Sequence, residues 1–199
     1  GGVEGGGYER VEREGEGKPG NWVGRQVSRW SKQYRASETD DIEAMNNLIE
    51  WLPKNIPDDD ETSIVHGDYR LDNMILKNNN VMGILDWELS TLGHPIADFS
   101  YHCLSWRTQE AFWDQARLKE LGVPSEKEYM NMYCENTGKD LSKNWEFYMA
   151  FNMFKIAGIL QGILGRVRDG TAASKHAEDR GMMVYPLSEA AWSTIEKNF

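Results

Sequence analysis

Three oxygen-bearing side chains at fixed offsets carry the chemistry of this chain. In the run His66-Gly67-Asp68-Tyr69-Arg70-Leu71-Asp72-Asn73, Asp68 is followed five positions later by Asn73, and a second carboxylate, Asp86, closes the apolar run ahead of Trp87. In-line transfer of a phosphoryl group needs one carboxylate to hold the attacking hydroxyl and separate oxygen ligands for a metal ion. Asp68 suits the first task, as catalytic base. Asn73 offers a neutral carbonyl oxygen and Asp86 a charged one, a set that matches a hard ion such as Mg2+, which keeps several of its waters. Arg70, two residues past the base, can turn its guanidinium to the transferring phosphate, where charge is spread over several oxygens. His66 is assigned to support of the loop and not to proton transfer.

A His-Gly-Asp triplet alone reads equally well as a turn. Asn73 and Asp86 at their offsets change the balance, because a purely structural reading must then explain three coincidences. Electrostatics adds an independent reason for a cation. Asp68, Asp72, Asp86 and Glu88 repel one another unless a divalent ion lies among them.

These side chains must be positioned by short strands. Ser63-Ile64-Val65 and Met74-Ile75-Leu76 flank the loop, Val81-Met82-Gly83-Ile84-Leu85 reads as a buried strand, and Asn78-Asn79-Asn80 is a turn. A strand, a tight turn and a second strand return Asp86 to the side of Asn73. The rest reads as helix: a segment containing Val27, Trp30 and Tyr34; residues 40–52, with Asp40 and Glu43 spaced as a cap and Pro53 as the stop; then 97–106, 110–121, 126–134, 145–168 and 172–197, broken by Gly122, Pro124, Gly138 and Gly170. The expected fold class is α+β, mostly α. Asp98 at the start of an apolar helix is a carboxylate favoured by the helix dipole, and His94, between Gly93 and Pro95, reads as a turn residue more readily than as a metal partner of Asp98. Trp106, Trp113, Tyr133, Trp145, Tyr148 and Phe151 fall in the helical half and read mainly as core. Arg107, Arg166 and Arg168 are candidates to meet a phosphate or a carboxylate.

The combination of His66-Gly67-Asp68, Asn73 and Leu85-Asp86-Trp87 resembles the aminoglycoside phosphotransferase and choline kinase group. More narrowly, Gly67 to Asn73, Leu85 to Gly93, Arg25-Gln26-Val27 and Gln33-Tyr34-Arg35-Ala36-Ser37 look like the kinase-like domain of acyl-CoA dehydrogenase family members ten and eleven, over a stretch from about Gly17 to the C-terminus. The resemblance implies the C-terminal lobe of a protein-kinase-like fold and ATP-dependent phosphorylation of a small-molecule hydroxyl. Asp68 would be the base, Asn73 and Asp86 would bind the Mg-nucleotide, and Asp98 would be a nearly fully buried anchor that accepts backbone N–H bonds from the catalytic loop. By the same resemblance the acceptor is a 4-hydroxyacyl-CoA, an acyl-CoA dehydrogenase domain is a partner, and the compartment is mitochondrial or peroxisomal. Neither FAD nor dehydrogenase activity is assigned to this chain.

Two departures qualify that picture. Asp86 is followed by Trp87 and Glu88 where protein kinases carry Phe and Gly, which favours a small molecule over a protein substrate. Nothing before Trp22 reads as the β-rich nucleotide lobe, and the Gly-rich stretch 1–20 lacks the apolar strands that aim a phosphate-binding loop. Residues 1–20 therefore read as a disordered Gly/Glu-rich tail and 21–199 as the kinase-like lobe, which on its own should turn over ATP poorly.

Composition sets the remaining bounds. The chain has 199 residues, 40% of them hydrophobic, enough for a packed core, and a formal net charge of −10 that argues against nucleic acid or an anionic membrane as partner. Cys103 and Cys134 lie far apart and read as thiols. No apolar run reads as long enough to cross a bilayer, and no leader is evident. Two other functions compete: a non-catalytic remnant that docks or stabilises a partner, and a metal-dependent hydrolase built on His66, Asp68, Asp86 and His94.

Overall fold

The computed structural model describes residues 21–59, 61–108 and 115–199. The expected tail 1–20, Trp113 and residues 110–114 of an expected helix lie outside the described residues. In chain order the elements are α1 (Trp22–Ser37), α2 (Glu43–Trp51), β1 (Ser63–Val65), β2 (Met74–Lys77), β3 (Asn80–Ile84), β4 (Thr91–Gly93), α3 (Pro95–Cys103), α4 (Ser105–Thr108), α5 (Gln115–Glu120), α6 (Glu126–Thr137), α7 (Trp145–Arg168), α8 (Ala177–Met182) and α9 (Val184–Asn198), with short 3-10 turns between.

The core is built around α7. Apart from Glu146 and Asn152 its first turns are apolar on every side, and Phe147, Tyr148, Met149, Ala150, Phe151, Met153 and Phe154 are all buried, as expected of a helix surrounded by others. By length and composition this 24-residue helix is long and apolar enough to cross a membrane, contrary to the expectation that no run would be. Inside this fold 67% of its most apolar window is buried, covered by α1, α3, α8 and α9. The same composition therefore serves here as a core helix. α1 presents Val23, Val27, Trp30 and Tyr34 at helical spacing, and all four are buried.

Helix boundaries follow local chemistry. α2 starts at Glu43 with Ile42 at its cap position and no side-chain cap bond, so the expected Asp40 cap is not formed. Asp40 instead accepts from Arg168 and from the Tyr185 hydroxyl, each at 2.5 Å, because a guanidinium is a stronger partner than a helix-end amide. The expected helix 172–197 is two helices, α8 and α9, that part at Met183. Pro186 lacks an N–H and clashes with the carbonyl four residues back, so it belongs in the first turn of a new helix. α6 carries a capping box, in which Ser125 and Glu128 each satisfy the other's backbone amide.

Two antiparallel ladders position the site. β1 pairs with β4, Val65 opposite Thr91; β4 was not anticipated from the sequence. β2 pairs with β3 through a two-residue turn in which Asn78 and Asn79 have φ of 50° and 60°, the type I′ geometry that Asn tolerates. Ile75 faces Gly83 while Leu76 faces Val81, so Met82 is the extra residue of a bulge. The expectation that residues 81–85 form a buried strand is corrected. Val81, Met82 and Leu85 are 55%, 63% and 50% exposed, since a two-stranded ladder has two faces and no further sheet covers this one among the described residues.

Candidate active site

The chain enters the site from β1. Gly67 has φ of +85°, and a Cβ there would stand 2.6 Å from the Leu89 carbonyl oxygen. Only glycine fits both constraints. Asp98, in the first turn of α3, accepts the amides of His66 at 2.6 Å and Gly67 at 2.9 Å. Its expected near-complete burial is corrected: it is half-buried and borders two cavities.

His66 ties the loop to the segment that carries Asp86. Its Nδ1 accepts from the Asp68 amide at 3.3 Å, and its Nε2 lies 2.7 Å from the Leu85 carbonyl oxygen. A ring with its proton on Nε2 serves both contacts. Trp87 packs against His66 with ring centres 4.8 Å apart and planes tilted by 57°, and its indole N–H donates to the Ile84 carbonyl at 2.8 Å. The imidazole is thus committed to scaffolding.

Asp68 is held from several directions. Its Oδ1 accepts from the Tyr101 hydroxyl at 2.9 Å; its Oδ2 accepts from Asn73 Nδ2 at 2.9 Å and lies 3.2 Å from Arg70 Nε. Asn73 Nδ2 also donates to the Asp68 carbonyl at 2.9 Å. With the amide nitrogen so engaged, Asn73 Oδ1 has no hydrogen-bond donor among the described residues. The Leu85 amide donates to the Asn73 carbonyl at 2.8 Å, and Met74 pairs with Ile84, so Asp86 follows beside Asn73. Asp86 adopts φ 64°, ψ 55°, a left-handed conformation that Asp accepts better than most residues. Its carboxylate is exposed and bonds no described residue.

Burial works against ionisation of Asp68, yet the Tyr101 and Asn73 hydrogen bonds and the charges of Arg70 and Lys155 outweigh it and hold the carboxyl below the usual range. The Tyr101 phenol is pushed up, first by burial and then by its bond to Asp68. Arg70 is half-exposed and also lies 3.4 Å from Asp72, so its guanidinium lies within reach of a phosphate beside Asp68.

Asn73 and Asp86 stand at the same end of the β2–β3 hairpin, and each offers a side-chain oxygen as a candidate ligand. That set fits Mg2+, which draws most of its ligands from water and substrate phosphates. The histidines are placed otherwise than a transition-metal hydrolase needs. His94 is 2% exposed, stacks on Tyr148 at 5.0 Å and has Asp59 at 3.5 Å, while His66 is taken by backbone groups. Among the described residues no group of three His, Cys, Asp or Glu side chains could hold a metal ion.

Two residues at the site were not found from sequence. Tyr101 lies one turn beyond Asp98, and Lys155 of α7 donates to the Gly67 carbonyl at 3.3 Å. The signal existed: Asn152 and Lys155 are one turn apart in an otherwise apolar run. Of the candidate arginines, Arg107 binds Glu126 and Glu146 and Arg168 binds Asp40, all within the protein. Behind the loop lies a cavity of about 310 Å3 whose walls include Tyr69, Trp87, Phe99, Tyr129 and Tyr133.

Residues 7–132 match the sequence profile of the phosphotransferase enzyme family. Acyl-CoA dehydrogenase family member 10 of Mus musculus is 44% identical over 188 residues, an overlap of 91% of this chain and 18% of that protein. Acyl-CoA dehydrogenase family member 11 of Homo sapiens is 38% identical over 196 residues, an overlap of 95% of this chain and 25% of that protein. The chain spans a quarter or less of the length of these relatives. A solved structure from Ralstonia eutropha, provisionally named an aminoglycoside phosphotransferase, matches with a TM-score of 0.85 and 50% identity over 92% of this chain and 57% of that one.

Proposed function

We propose that this chain, which belongs to the phosphotransferase enzyme family, is the base- and metal-bearing lobe of a kinase that moves the terminal phosphoryl group of ATP to a hydroxyl of a small molecule. The observation that carries this reading is the junction of Asp68, Asn73 and the Asp86 segment through the Asn73 side-chain and backbone bonds. An acceptor hydroxyl donates to Asp68 and attacks the terminal phosphorus in line. The bond from that phosphorus to the leaving ADP oxygen breaks, and the hydroxyl proton passes to Asp68. Asp68 is a weak base because its carboxyl is held low, which suits a loose transition state in which orienting the hydroxyl matters more than removing its proton early. Arg70 would meet charge on the phosphoryl oxygens. Asn73 and Asp86 would hold Mg2+, which when bound neutralises phosphate charge.

The acceptor we favour is a 4-hydroxyacyl-CoA, and the partner an acyl-CoA dehydrogenase domain. The names of the relatives that share this lobe support the acyl-CoA part of that reading and the partner, and the 4-hydroxy group comes from the family resemblance of the sequence. The 199-residue polypeptide by itself should transfer poorly, because no β-rich nucleotide lobe stands among the described residues. The test is ATP-dependent phosphorylation of hydroxylated acyl-CoA and other small alcohols by the longest natural protein that carries this lobe, with Asp68→Asn as control. Transfer that disappears in the variant is expected; retained transfer removes Asp68 from the base role.

A second reading has one observation in its favour. Ile75, Leu76, Val81 and Met82 leave the hairpin apolar and exposed, as a docking or stabilising module would. Mg-dependent nucleotide binding separates the two, since a docking module has no use for it.

A further inference from the structure

We propose that Tyr101 and Lys155 are positioning residues for the base: Tyr101 fixes the orientation of the Asp68 carboxylate, and Lys155 holds Tyr101 and the catalytic loop in register with α7. Neither lies in the run 66–73 or beside Asp86, and the proposal rests on the phosphotransfer reading of Asp68.

The terminal torsion of an aspartate is broad, so its carboxylate turns easily unless both oxygens are engaged. For a group that must orient an attacking hydroxyl that freedom is costly, since a misplacement of about 1 Å can reduce rate roughly a hundredfold. Here the torsion is closed from both sides. Asn73 donates to Oδ2 and Tyr101 to Oδ1, each at 2.9 Å. Each carboxylate oxygen carries two lone pairs. Oδ2 receives Asn73 and also faces Arg70 at 3.2 Å, whereas Oδ1 receives Tyr101. The remaining lone pair of Oδ1 is therefore the one that faces an acceptor hydroxyl.

Tyr101 is itself fixed. Lys155 Nζ lies 4.9 Å from the centre of its ring, within the range of a cation–π contact, and the same ammonium donates to the Gly67 carbonyl at 3.3 Å. Tyr101 also sits one turn after Asp98, which binds the amides of His66 and Gly67. Helix α3 thus grips the loop by its backbone through Asp98 and by its carboxylate through Tyr101. Lys155 adds a third point from α7, the helix around which the core is built. Because burial and Asp68 push the phenol up, Tyr101 remains a donor at any working pH.

A buried tyrosine usually finds some partner, so the experiment must separate positioning from packing. The first arm uses the 199-residue chain with tyrosine labelled by 13C at Cζ, the Tyr101 signal being identified by its loss in Tyr101→Phe. Asp68→Asn and Lys155→Met should each displace that signal. A signal unmoved by Asp68→Asn overturns the proposal. The second arm uses the longest natural protein that carries the lobe. Tyr101→Phe and Lys155→Met should lower kcat about tenfold to a hundredfold with KM for ATP unchanged, and Lys155→Arg should recover most of the loss. Unchanged kcat, or a raised KM at constant kcat, overturns it. Should the unmodified long protein transfer nothing to any acceptor, the phosphotransfer reading fails and the positioning role with it, whereas a displaced Cζ signal would still establish the contact.

Discussion

The amide of Leu85 donates to the carbonyl oxygen of Asn73 at 2.8 Å, and this bond brings the backbone that leads into Asp86 alongside Asn73. Two residues with side-chain oxygens, separated in sequence by a hairpin, thereby stand at the same end of it. Asp68 joins them through the Asn73 amide. The arrangement needs the hairpin turn, the bulge and the His66 ring together, so it is a property of the local fold and not of any single residue.

Asp68→Asn should lower phosphoryl transfer by roughly 10²–10⁴-fold, the range for loss of a positioned general base. The fold should survive, because the loop backbone is held by Asp98 through the His66 and Gly67 amides and not by the Asp68 carboxylate. Steady-state kinetics beside a thermal melt of the same preparation checks both halves.

Asp98→Ala should destabilise the chain by about 2–4 kcal/mol, since two loop amides lose a charged acceptor that now binds them at 2.6 and 2.9 Å. Asp98→Asn should cost less, because one oxygen remains. Urea unfolding of both variants gives the comparison.

Arg107 is gripped by Glu126 and Glu146, which tie α4 to α6 and α7, and the Trp145 indole N–H also donates to Glu126 at 2.6 Å. Arg107→Met leaves the two carboxylates facing each other and should cost about 3 kcal/mol. Arg107→Lys keeps the charge without the two-pronged geometry and should recover only part of it. Melting temperatures of the pair decide this.

Cys103 is fully buried, and burial pushes its thiol up, whereas Cys134 is partly exposed. A thiol-specific disulfide reagent at neutral pH should titrate about one thiol in the native chain and a second only after denaturation, because the thiolate is the reactive form. Equal rates for both would contradict the packing of α3 against α7.

The pH dependence has a definite sign. A carboxyl held lower in the folded than in the unfolded chain stabilises the fold above its unfolded value, and that contribution is lost as pH falls through the folded value. For Asp68 the ordinary value is 3.8 and the folded one lies below it. Tyr101→Phe removes one of the donors that lower it, so the stability gap between wild type and variant should be full near neutral pH and shrink as pH drops below about 4. A gap that widens on acidification would contradict the assignment.

Much of this was legible in the residues. The loop, the Asn turn and the helix α7 follow from spacing, Asn tolerance of positive φ and apolar content. What was hidden depended on contacts distant in sequence. Asp40 reads as a cap until Arg168 and Tyr185 arrive from α7 and α9. The run 81–85 reads as buried because apolar composition does not say whether a second layer exists. Tyr101 and Lys155 stayed unseen because the link from α3 and α7 to Asp68 is made only by tertiary packing, although a Tyr one turn after Asp98 and a Lys in an apolar helix were both visible.

The central claim, one metal-nucleotide site shared by Asn73 and Asp86, is tested most directly with Mn2+·ATP as a paramagnetic probe in an amide NMR spectrum of the chain. The account predicts that residues 68–73 and 84–87 broaden together and that Asp86→Asn abolishes both effects. Broadening confined to one of the two segments, or persisting in Asp86→Asn, would contradict it.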